Sequence, residues 1–398
     1  MDVPARRISG VFIPPNPERV LIMSRTVRYF LVCMLVISSN QLVSGQDRTF
    51  TENPQVLLGL RTDRSPALTF ADIDGDKDLD ALVASGRHWP QQNEVFINNG
   101  SGRFMVAYAL GDLRSTSYSI PVADIDGDGD LDAVVANDLA PNMIYLNDGN
   151  GQFSRTADLG PEIESTRDVI LADLNGDGAP DAIVTNRGIE NGIYLNEGGR
   201  FGVKIGFGST DDSTISLAVA DINQDGKQDL VLANRDGQPN FIYLNDDSFS
   251  FETAIPYGTG SDETRAAAVA DMNGDGRLDI VTANIGEPNG IYFGDGSGTF
   301  DVGVAYGSER GQSYDLEVID LDNDGDNDIV IGNVRSQNAA FFNDGTGRHF
   351  REVRFGSADD ISYGVAVGDV NNDGFPDIGV ANSDGINGIH MNRPLSTQ

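Results

Sequence analysis

Short apolar runs of four to six residues recur along the chain, each closed off by Gly, Asn or Asp. One run precedes an acidic loop (SIPVAD, VILADL, SLAVAD), a second follows it directly (DAVVAN, DAIVTN, DLVLAN, DIVTAN), and a third comes next (MIYLND, GIYLNE, FIYLND, GIYFGD). Runs of that length with that punctuation predict β-strands. Glycine-rich hairpin signals (NDGNGQF, NEGGRF, GDGSGTF, NDGTGRHF) then lead into a fourth strand. Two of these fourth strands end in a Phe-Gly pair, Phe207-Gly208 and Phe355-Gly356.

The whole unit repeats. Seven acidic loops begin at Asp72, Asp124, Asp173, Asp221, Asp271, Asp320 and Asp369, spaced by 52, 49, 48, 50, 49 and 49 residues. Four antiparallel strands per repeat of about 50 residues is the sequence form of a propeller blade. The predicted fold class is therefore all-β, a seven-bladed β-propeller with four antiparallel strands per blade. A solenoid fits less well, because a four-stranded meander needs neighbours on both faces and a closed ring supplies them. The seventh repeat stops after its third strand, at GIHMNRPLSTQ, while residues 48–58 (RTFTENPQVLL) precede the first inner strand and read as a fourth. The N-terminal strand is thus expected to close the last blade and remove an exposed edge.

Upstream of the repeats, the stretch from Met23 carries Arg25 and Arg28, an apolar segment from Tyr29 to Ile37, and Val43 and Gly45 at the small-residue positions before Gln46. That is the form of a secretory signal peptide. Residues 1–45 are read as a leader, with translation expected to begin at Met23, and residues 46–398 as a single propeller. The apolar segment is too short for a membrane span, and Val32 before Cys33 matches a lipoprotein cleavage box poorly. A secreted, extracellular or periplasmic protein with no transmembrane anchor, and monomeric, is expected. Cys33 is the only cysteine, so the propeller has neither disulfides nor thiolate metal sites.

Acids outnumber bases 61 to 27 for a net charge of −34, which removal of the leader's five Arg and two acids would take to −37. Such a chain repels nucleic acid and other polyanions, so no nucleic-acid partner is expected. Cations are its natural complement, and the acids sit at fixed offsets within the loops. The pattern is Asp, any residue, Asp or Asn, any residue, Asp, Gly, any two residues, Asp. Positions one, three, five and nine are Asp72, Asp74, Asp76, Asp80; Asp124, Asp126, Asp128, Asp132; Asp173, Asn175, Asp177, Asp181; and Asp221, Asn223, Asp225, Asp229 in the first four loops. In the last three they are Asp271, Asn273, Asp275, Asp279; Asp320, Asp322, Asp324, Asp328; and Asp369, Asn371, Asp373, Asp377. These side chains and the carbonyl at position seven can converge on one hard cation, and oxygen-only donors select calcium over zinc, copper or magnesium. An EF-hand is excluded, because position twelve is Val83, Val135, Val184, Leu232, Thr282, Ile331 or Val380 instead of Glu and the flanks are strands. Up to seven Ca2+ ions are expected, each structural and pinning the turn between the first two strands of a blade. The first loop is expected to be the weakest, because Lys77 stands where glycine allows a left-handed backbone.

With these loops and the two Phe-Gly pairs, the chain from residue 48 to 398 resembles the FG-GAP or VCBS repeat family, the seven-bladed propeller type of the integrin alpha-subunit head and of many secreted bacterial proteins. The Gly-Ala-Pro half of the signature is missing, since Gly178-Ala179-Pro180 falls inside a metal loop. The resemblance implies a propeller with calcium loops; it does not imply a ligand.

The blade faces opposite the acidic loops carry different chemistry. The residue six before each loop is Pro66, Tyr118, Arg167, Ile215, Arg265, Tyr314 or Tyr363, expected at the mouth of the central channel, with Asp168 and Asp315 following two of them. The connections between second and third strands add His88, Trp89, Arg187, Arg235 and Arg335. A ring of Tyr, Arg and Asp with one Trp suits a sugar or protein contact surface; the plain alternative is that channel-mouth residues are polar because they are wet. Glu317 is expected to face channel water, and Asn137, Asn186, Asn234, Asn284, Asn333 and Asn382, which recur after the second strand, to shape loops. The function read from these residues is a calcium-binding adhesion or binding module for a glycan or extracellular protein. The alternatives are a polysaccharide lyase-like enzyme on the same face, with Arg neutralising a uronate while Tyr or His removes a proton, and a purely structural scaffold. Catalysis is the less expected outcome: there are three His (His88, His349, His390), and no nucleophile motif.

Overall fold

The structure, a computed structural model, describes residues 47–395 apart from 162, 247 and 302, and leaves the side chains of 53–55 undescribed. The expected leader lies outside the described residues. Among those residues there is no helix, and hence none long and apolar enough to cross a membrane. The strands form seven antiparallel sheets, one per repeat, each a meander running from an inner to an outer strand. The inner strands are Ala67–Ala71, Ser117–Ser119 with Val122–Ala123, Thr166–Ala172, Thr214–Ala220, Thr264–Ala270, Ser313–Ile319 and Ser362–Gly368. Each contacts the next and the seventh contacts the first, so the ring is closed. In the second blade the inner strand is interrupted around Pro121, whose missing N–H cannot serve a ladder, although its carbonyl still accepts from Val134 N at 3.1 Å.

Second strands such as Asp132–Asn137 and Asp229–Asn234 are buried at every position. Their sequences are continuously apolar instead of alternating, because a blade's neighbours cover both its faces. Seven apolar clusters follow, one between each pair of adjacent blades; Leu217, Leu230 and Leu232 of the fourth blade, for example, pack with Ile183, Ile193 and Phe207 of the third. Close approach needs small residues at the ring's inside. A Cβ on Gly364 would stand 2.6 Å from the carbonyl oxygen of Pro66, across the junction of the seventh and first blades.

The seventh blade contains the chain closure expected from the repeat boundaries. Arg48–Leu58 pairs antiparallel with Asn387–Pro394, from Arg48 opposite Pro394 to Leu58 opposite Asn387, with an irregularity between Glu52 and Leu57. The N-terminal strand is thereby the outermost strand of the seventh blade. The recurrent asparagines do shape loops: Asn137 N donates to Asn142 Oδ1 at 2.8 Å and Asn137 Nδ2 to the Pro141 carbonyl at 2.7 Å, and the same pair of bonds recurs from Asn186 and Asn382.

Candidate functional sites at the two ends of the inner strands

Every acidic loop is built on the same hydrogen bonds. The first carboxylate accepts the amide of the sixth residue, as in Lys77 N to Asp72 Oδ2 (3.0 Å), Gly129 N to Asp124 Oδ2 (3.1 Å) and Gly374 N to Asp369 Oδ2 (2.7 Å). That bond requires a left-handed sixth residue, with φ 99° at Gly129, 97° at Gly325 and 78° at Lys77. Lys77 therefore occupies a conformation that an L side chain adopts at a cost of about 1–2 kcal/mol. The ninth residue opens the second strand and is fully enclosed: Asp80 and Asp132 are 0% exposed. One of its oxygens holds the amide of the loop's second residue, Ile73 N to Asp80 Oδ2 at 3.2 Å, and the other holds the end of the third strand, Asn98 N to Asp80 Oδ1 at 2.7 Å.

In three loops the first, third and ninth carboxylates approach within 4.8 Å of one another: Asp72, Asp74 and Asp80; Asp124, Asp126 and Asp132; Asp320, Asp322 and Asp328. These are the three loops with Asp in third position. Burial pushes the ninth carboxyl up to about 7 at Asp80, about 6 at Asp132 and about 8 at Asp328, with the neighbouring acids adding to it. Asp322 Oδ1 is buried with no hydrogen-bond partner among the described residues. An orphaned carboxylate oxygen in an all-oxygen donor set is what a hard divalent cation satisfies, so the residues fit a metal, and several of these clusters can hold one. In the other four loops the third residue is Asn175, Asn223, Asn273 or Asn371. Asn175 and Asn223 donate Nδ2 to the fifth carboxylate, Asp177 and Asp225, at 3.0 and 3.2 Å, and Asn371 donates to the ninth, Asp377, at 2.7 Å.

The loops are also tied to one another. Gln224, Asn323 and Asn372, at the fourth position, have φ near 60° and donate to Gly276 O, Gly374 O and Asp78 Oδ1 of the following loop. Six third strands end in an Asn that reaches the previous loop, as Asn343 Nδ2 does to Met272 O at 2.8 Å; in the fifth blade the place is taken by Gly294, where a Cβ would strike the Leu278 carbonyl.

The inner strands separate this end from the opposite one by up to seven residues, roughly 20 Å. There a cavity of about 180 Å³ forms the channel mouth, lined by all seven residues placed six before the loops, Pro66, Tyr118, Arg167, Ile215, Arg265, Tyr314 and Tyr363. It also brings together His88, Asp168, Arg187, Arg235 and Asp315. Trp89 and Arg335 are not part of the lining; Trp89 is 64% exposed. His88 and Arg335 themselves have left-handed φ, 74° and 56°. Arg87, Ser119 and Ser216 line the cavity without having been singled out from the sequence.

Stacked cations organise the mouth. Arg167 lies 4.3 Å over Tyr118 and pairs with Asp138 at 3.0 Å; Arg87 lies 3.7 Å over Tyr363; Arg265 lies 5.3 Å from the Tyr314 ring. Tyr314 and Tyr363 meet edge to face at 4.5 Å. Tyr118 Oη is 3.3 Å from His88 Nδ1, and burial together with Arg87 holds the His88 imidazole below its ordinary range. Below the mouth, Asp168, Asp315 and Glu317 line the channel. Enclosure pushes Asp168 and Glu317 up to about 7 and Asp315 well above the carboxylate range. The other two histidines have packing roles or sit by the acidic loops: His390 is buried 4.9 Å from the Phe355 ring, and His349 lies beside Asp322, Asp324 and Arg351.

Comparison with known proteins agrees with this architecture. No curated protein matches the chain. A chain of the crystal structure of BBS1N in complex with ARL6DN, soaked with mercury, superposes with a TM-score of 0.60 at 13% identity, covering 88% of this chain and 98% of that one. The lead-soaked form of that complex gives 0.57 at 12% over 89% and 99%. Raptor of Chaetomium thermophilum gives 0.57 at 12% identity, over 88% of this chain and 29% of Raptor. At these identities the likeness is one of fold. Six overlapping matches to the FG-GAP-like repeat model run through residues 80–135, 124–184, 173–232, 221–282, 271–331 and 320–380, and the chain belongs to the FG-GAP-like repeat family.

Proposed function

We propose that this protein is an exported, calcium-stabilised binding module whose ligand, a glycan or an extracellular protein, docks at the channel mouth opposite the acidic loops. The observation that carries the reading is the convergence of Tyr118, Arg167, Arg265, Tyr314 and Tyr363, one from each of five blades, on a single cavity. Tyr and Arg are the residue types that concentrate binding energy at contact centres. The BBS1N neighbour is held in complex with ARL6DN, in keeping with a propeller serving as a platform for a partner. Calcium is assigned to the first, third, fifth and ninth side chains of the loops, where it supplies positive charge that offsets the crowded carboxylates and fixes the turn between the first two strands.

One observation favours the enzymatic alternative: His88 beside the Tyr118 hydroxyl, with Arg167 over the Tyr118 ring, has the parts of a polysaccharide lyase. Both readings are separated by one experiment. The calcium-loaded protein is applied to an array of glycans, acidic polysaccharides and extracellular proteins, with and without chelator, while absorbance of unsaturated uronate products is followed. Retention without product supports the binding module, product formation replaces it with the lyase, and silence on all three panels with an intact fold leaves a scaffold.

A further inference from the structure

Arg265 is 7% exposed, yet its guanidinium is poorly served. Nη2 donates to Glu263 Oε2 at 3.3 Å, and Nε and Nη1 are buried with no hydrogen-bond partner among the described residues. Buried cations in folded proteins are paired and hydrogen-bonded, because an unmet charged donor forfeits its hydration with nothing in return. The surroundings aggravate the shortage. Arg87, Arg167, Arg187, Arg235 and Arg265 all line the mouth, while among the described residues the carboxylates within ion-pair distance of them are Asp138, Asp236 and Glu263. Asp168 and Asp315 also line the cavity, but backbone amides engage them: Val169 N donates to Asp168 Oδ1, and Leu316 N and Val365 N to the two oxygens of Asp315. Arg87 has a ring beneath it and no carboxylate within ion-pair distance among the described residues. The mouth is thus an electropositive spot on a chain of net charge −34.

We infer that this spot is a carboxylate subsite, and that it receives a terminal acidic sugar of an otherwise neutral glycan, its carboxylate on Arg265 with Arg87 and Arg235 alongside. The inference rests on the channel mouth being the binding face. The cavity's volume of about 180 Å³ is below the roughly 300–1,000 Å³ that encloses a whole small-molecule ligand, so it takes one residue of a longer ligand. The charge of the surrounding body decides how that ligand is charged. A polyanion is repelled over its length, whereas a single carboxylate at the tip of a neutral chain is drawn to the arginines. The wall decides the rest: Tyr118, Tyr314 and Tyr363 with Ser119 and Ser216 surround the arginines with hydroxyl groups, which exchange hydrogen bonds with sugar hydroxyls on both the donating and accepting side.

The test is saturation-transfer NMR and calorimetry on the calcium-loaded mature protein, with four probes: methyl glucuronoside, its methyl ester, methyl glucoside, and a short neutral peptide bearing one glutamate. Methyl glucuronoside is expected to bind, the ester and the glucoside to bind at least about tenfold more weakly, and Arg265→Gln to weaken the glucuronoside by a similar factor. Arg87→Gln, at the rim, gives the same readout if Arg265→Gln fails to fold. Equal binding of acid, ester and glucoside overturns the carboxylate subsite. Tighter binding of the glutamyl peptide than of the glucuronoside overturns the sugar assignment in favour of a protein ligand, and no binding of any probe overturns both. Retention of neutral glycans on the array without glucuronoside binding defeats this inference while the binding-module reading stands; glucuronoside binding together with release of unsaturated uronate from a 4-linked acidic polysaccharide, whose 4-O-linked sugar is the leaving group, does the reverse.

Discussion

Asn387 donates Nδ2 to Ser65 Oγ at 3.1 Å, joining two residues 322 positions apart. The bond is one of seven of the same kind. Asn93 reaches Ser117, Asn142 reaches Thr166, Asn191 reaches Thr214, Asn240 reaches Thr264, Asn289 reaches Ser313 and Asn338 reaches Ser362, at 2.9–3.2 Å. Each third strand is thereby fastened to the first strand of the next blade, and the Asn387–Ser65 link completes the circle. Because each Asn also receives an amide N–H of its own blade, as Asn387 Oδ1 does from Asn382 at 2.8 Å, truncation orphans buried groups on both sides. Asn387→Ala and Asn93→Ala are each expected to lower stability by about 1–3 kcal/mol, measured by denaturant unfolding. An unchanged midpoint in either variant means that the ring of bonds is not what holds neighbouring blades.

The packing of the closing strand against the sixth blade is tested through Phe50. Its ring sits 5.4 Å from Phe355 and 6.2 Å from Phe342, on the N-terminal strand, and is 7% exposed. Phe50→Ala is expected to cost about 3–5 kcal/mol. Deleting residues 46–58 goes further, since it bares the edge of Asn387–Pro394 to other chains. Light scattering during a thermal melt is expected to show aggregation of the deletion variant before the intact protein unfolds; a superimposable melt refutes the closure as a stabilising element.

Much of this was legible because the repeat samples each structural position seven times. A residue type that recurs in every blade, such as the ninth-position Asp, or in six of the seven, such as the Asn at the end of the second strand, which is Ser85 in the first blade, belongs to the scaffold, and a fixed position whose residue varies, such as that six before each loop, marks a place where blades differ while geometry stays put. All seven of those residues do line one cavity. The arithmetic weakens in the connections between second and third strands, whose backbones differ. His88 turns left-handed with φ 74°, and its neighbours part: Arg87 lines the mouth, and Trp89 stands in solvent. Nothing in the periodicity distinguishes Arg265, one basic residue among several, because its unmet nitrogens arise from side-chain packing. The fourth loop position was silent for a similar reason, since Gln224, Asn323 and Asn372 look like ordinary turn residues until their side chains are seen bridging to the next loop.

Lys77 isolates the backbone term in the first metal loop. At φ 78° it holds a conformation that glycine adopts freely, so Lys77→Gly is expected to stabilise the loop by about 1–2 kcal/mol. The substitution also removes a positive charge beside the carboxylates. Calcium titration by calorimetry is expected to show the weakest site of the wild-type protein strengthened by tenfold or more in Lys77→Gly, with the remaining sites unmoved. If the weakest site is unaffected, it belongs to another loop.

Chelation tests the ions as a set. With the loops metal-free, three groups of carboxylates lie within 4.8 Å of one another, on a chain already at −34. Self-repulsion then loosens the face that carries the loops. The melting temperature is expected to fall on adding chelator and to recover partly in high salt, which screens exposed carboxylates. Asp322→Ala is expected to abolish one site outright, since its buried Oδ1 has no hydrogen-bond partner among the described residues. A chelator-insensitive melt defeats the structural role of calcium.

The channel acids make stability depend on pH. Enclosure raises Glu317 in the folded protein to about 7 from an ordinary 4.5, so between those values the folded state binds more protons than the unfolded one. Stability therefore falls as pH rises, being greatest below about 4.5 and having lost the contribution above about 7. A shift of that size corresponds to an upper figure of about 3 kcal/mol, and water in the channel reduces it to the order of 1–3 kcal/mol. Asp168, raised in the same direction to about 7, adds to the slope, and the acidic loops contribute alike to wild type and variant when both are measured at one calcium concentration. Comparing wild type with Glu317→Gln under that condition isolates one group. Glu317→Gln is expected to match the wild type near pH 4.5, to exceed it by 1–3 kcal/mol at pH 8, and to show a shallower slope between. Parallel stability curves for the two proteins across this window would place Glu317 in a channel wet enough to ionise it freely.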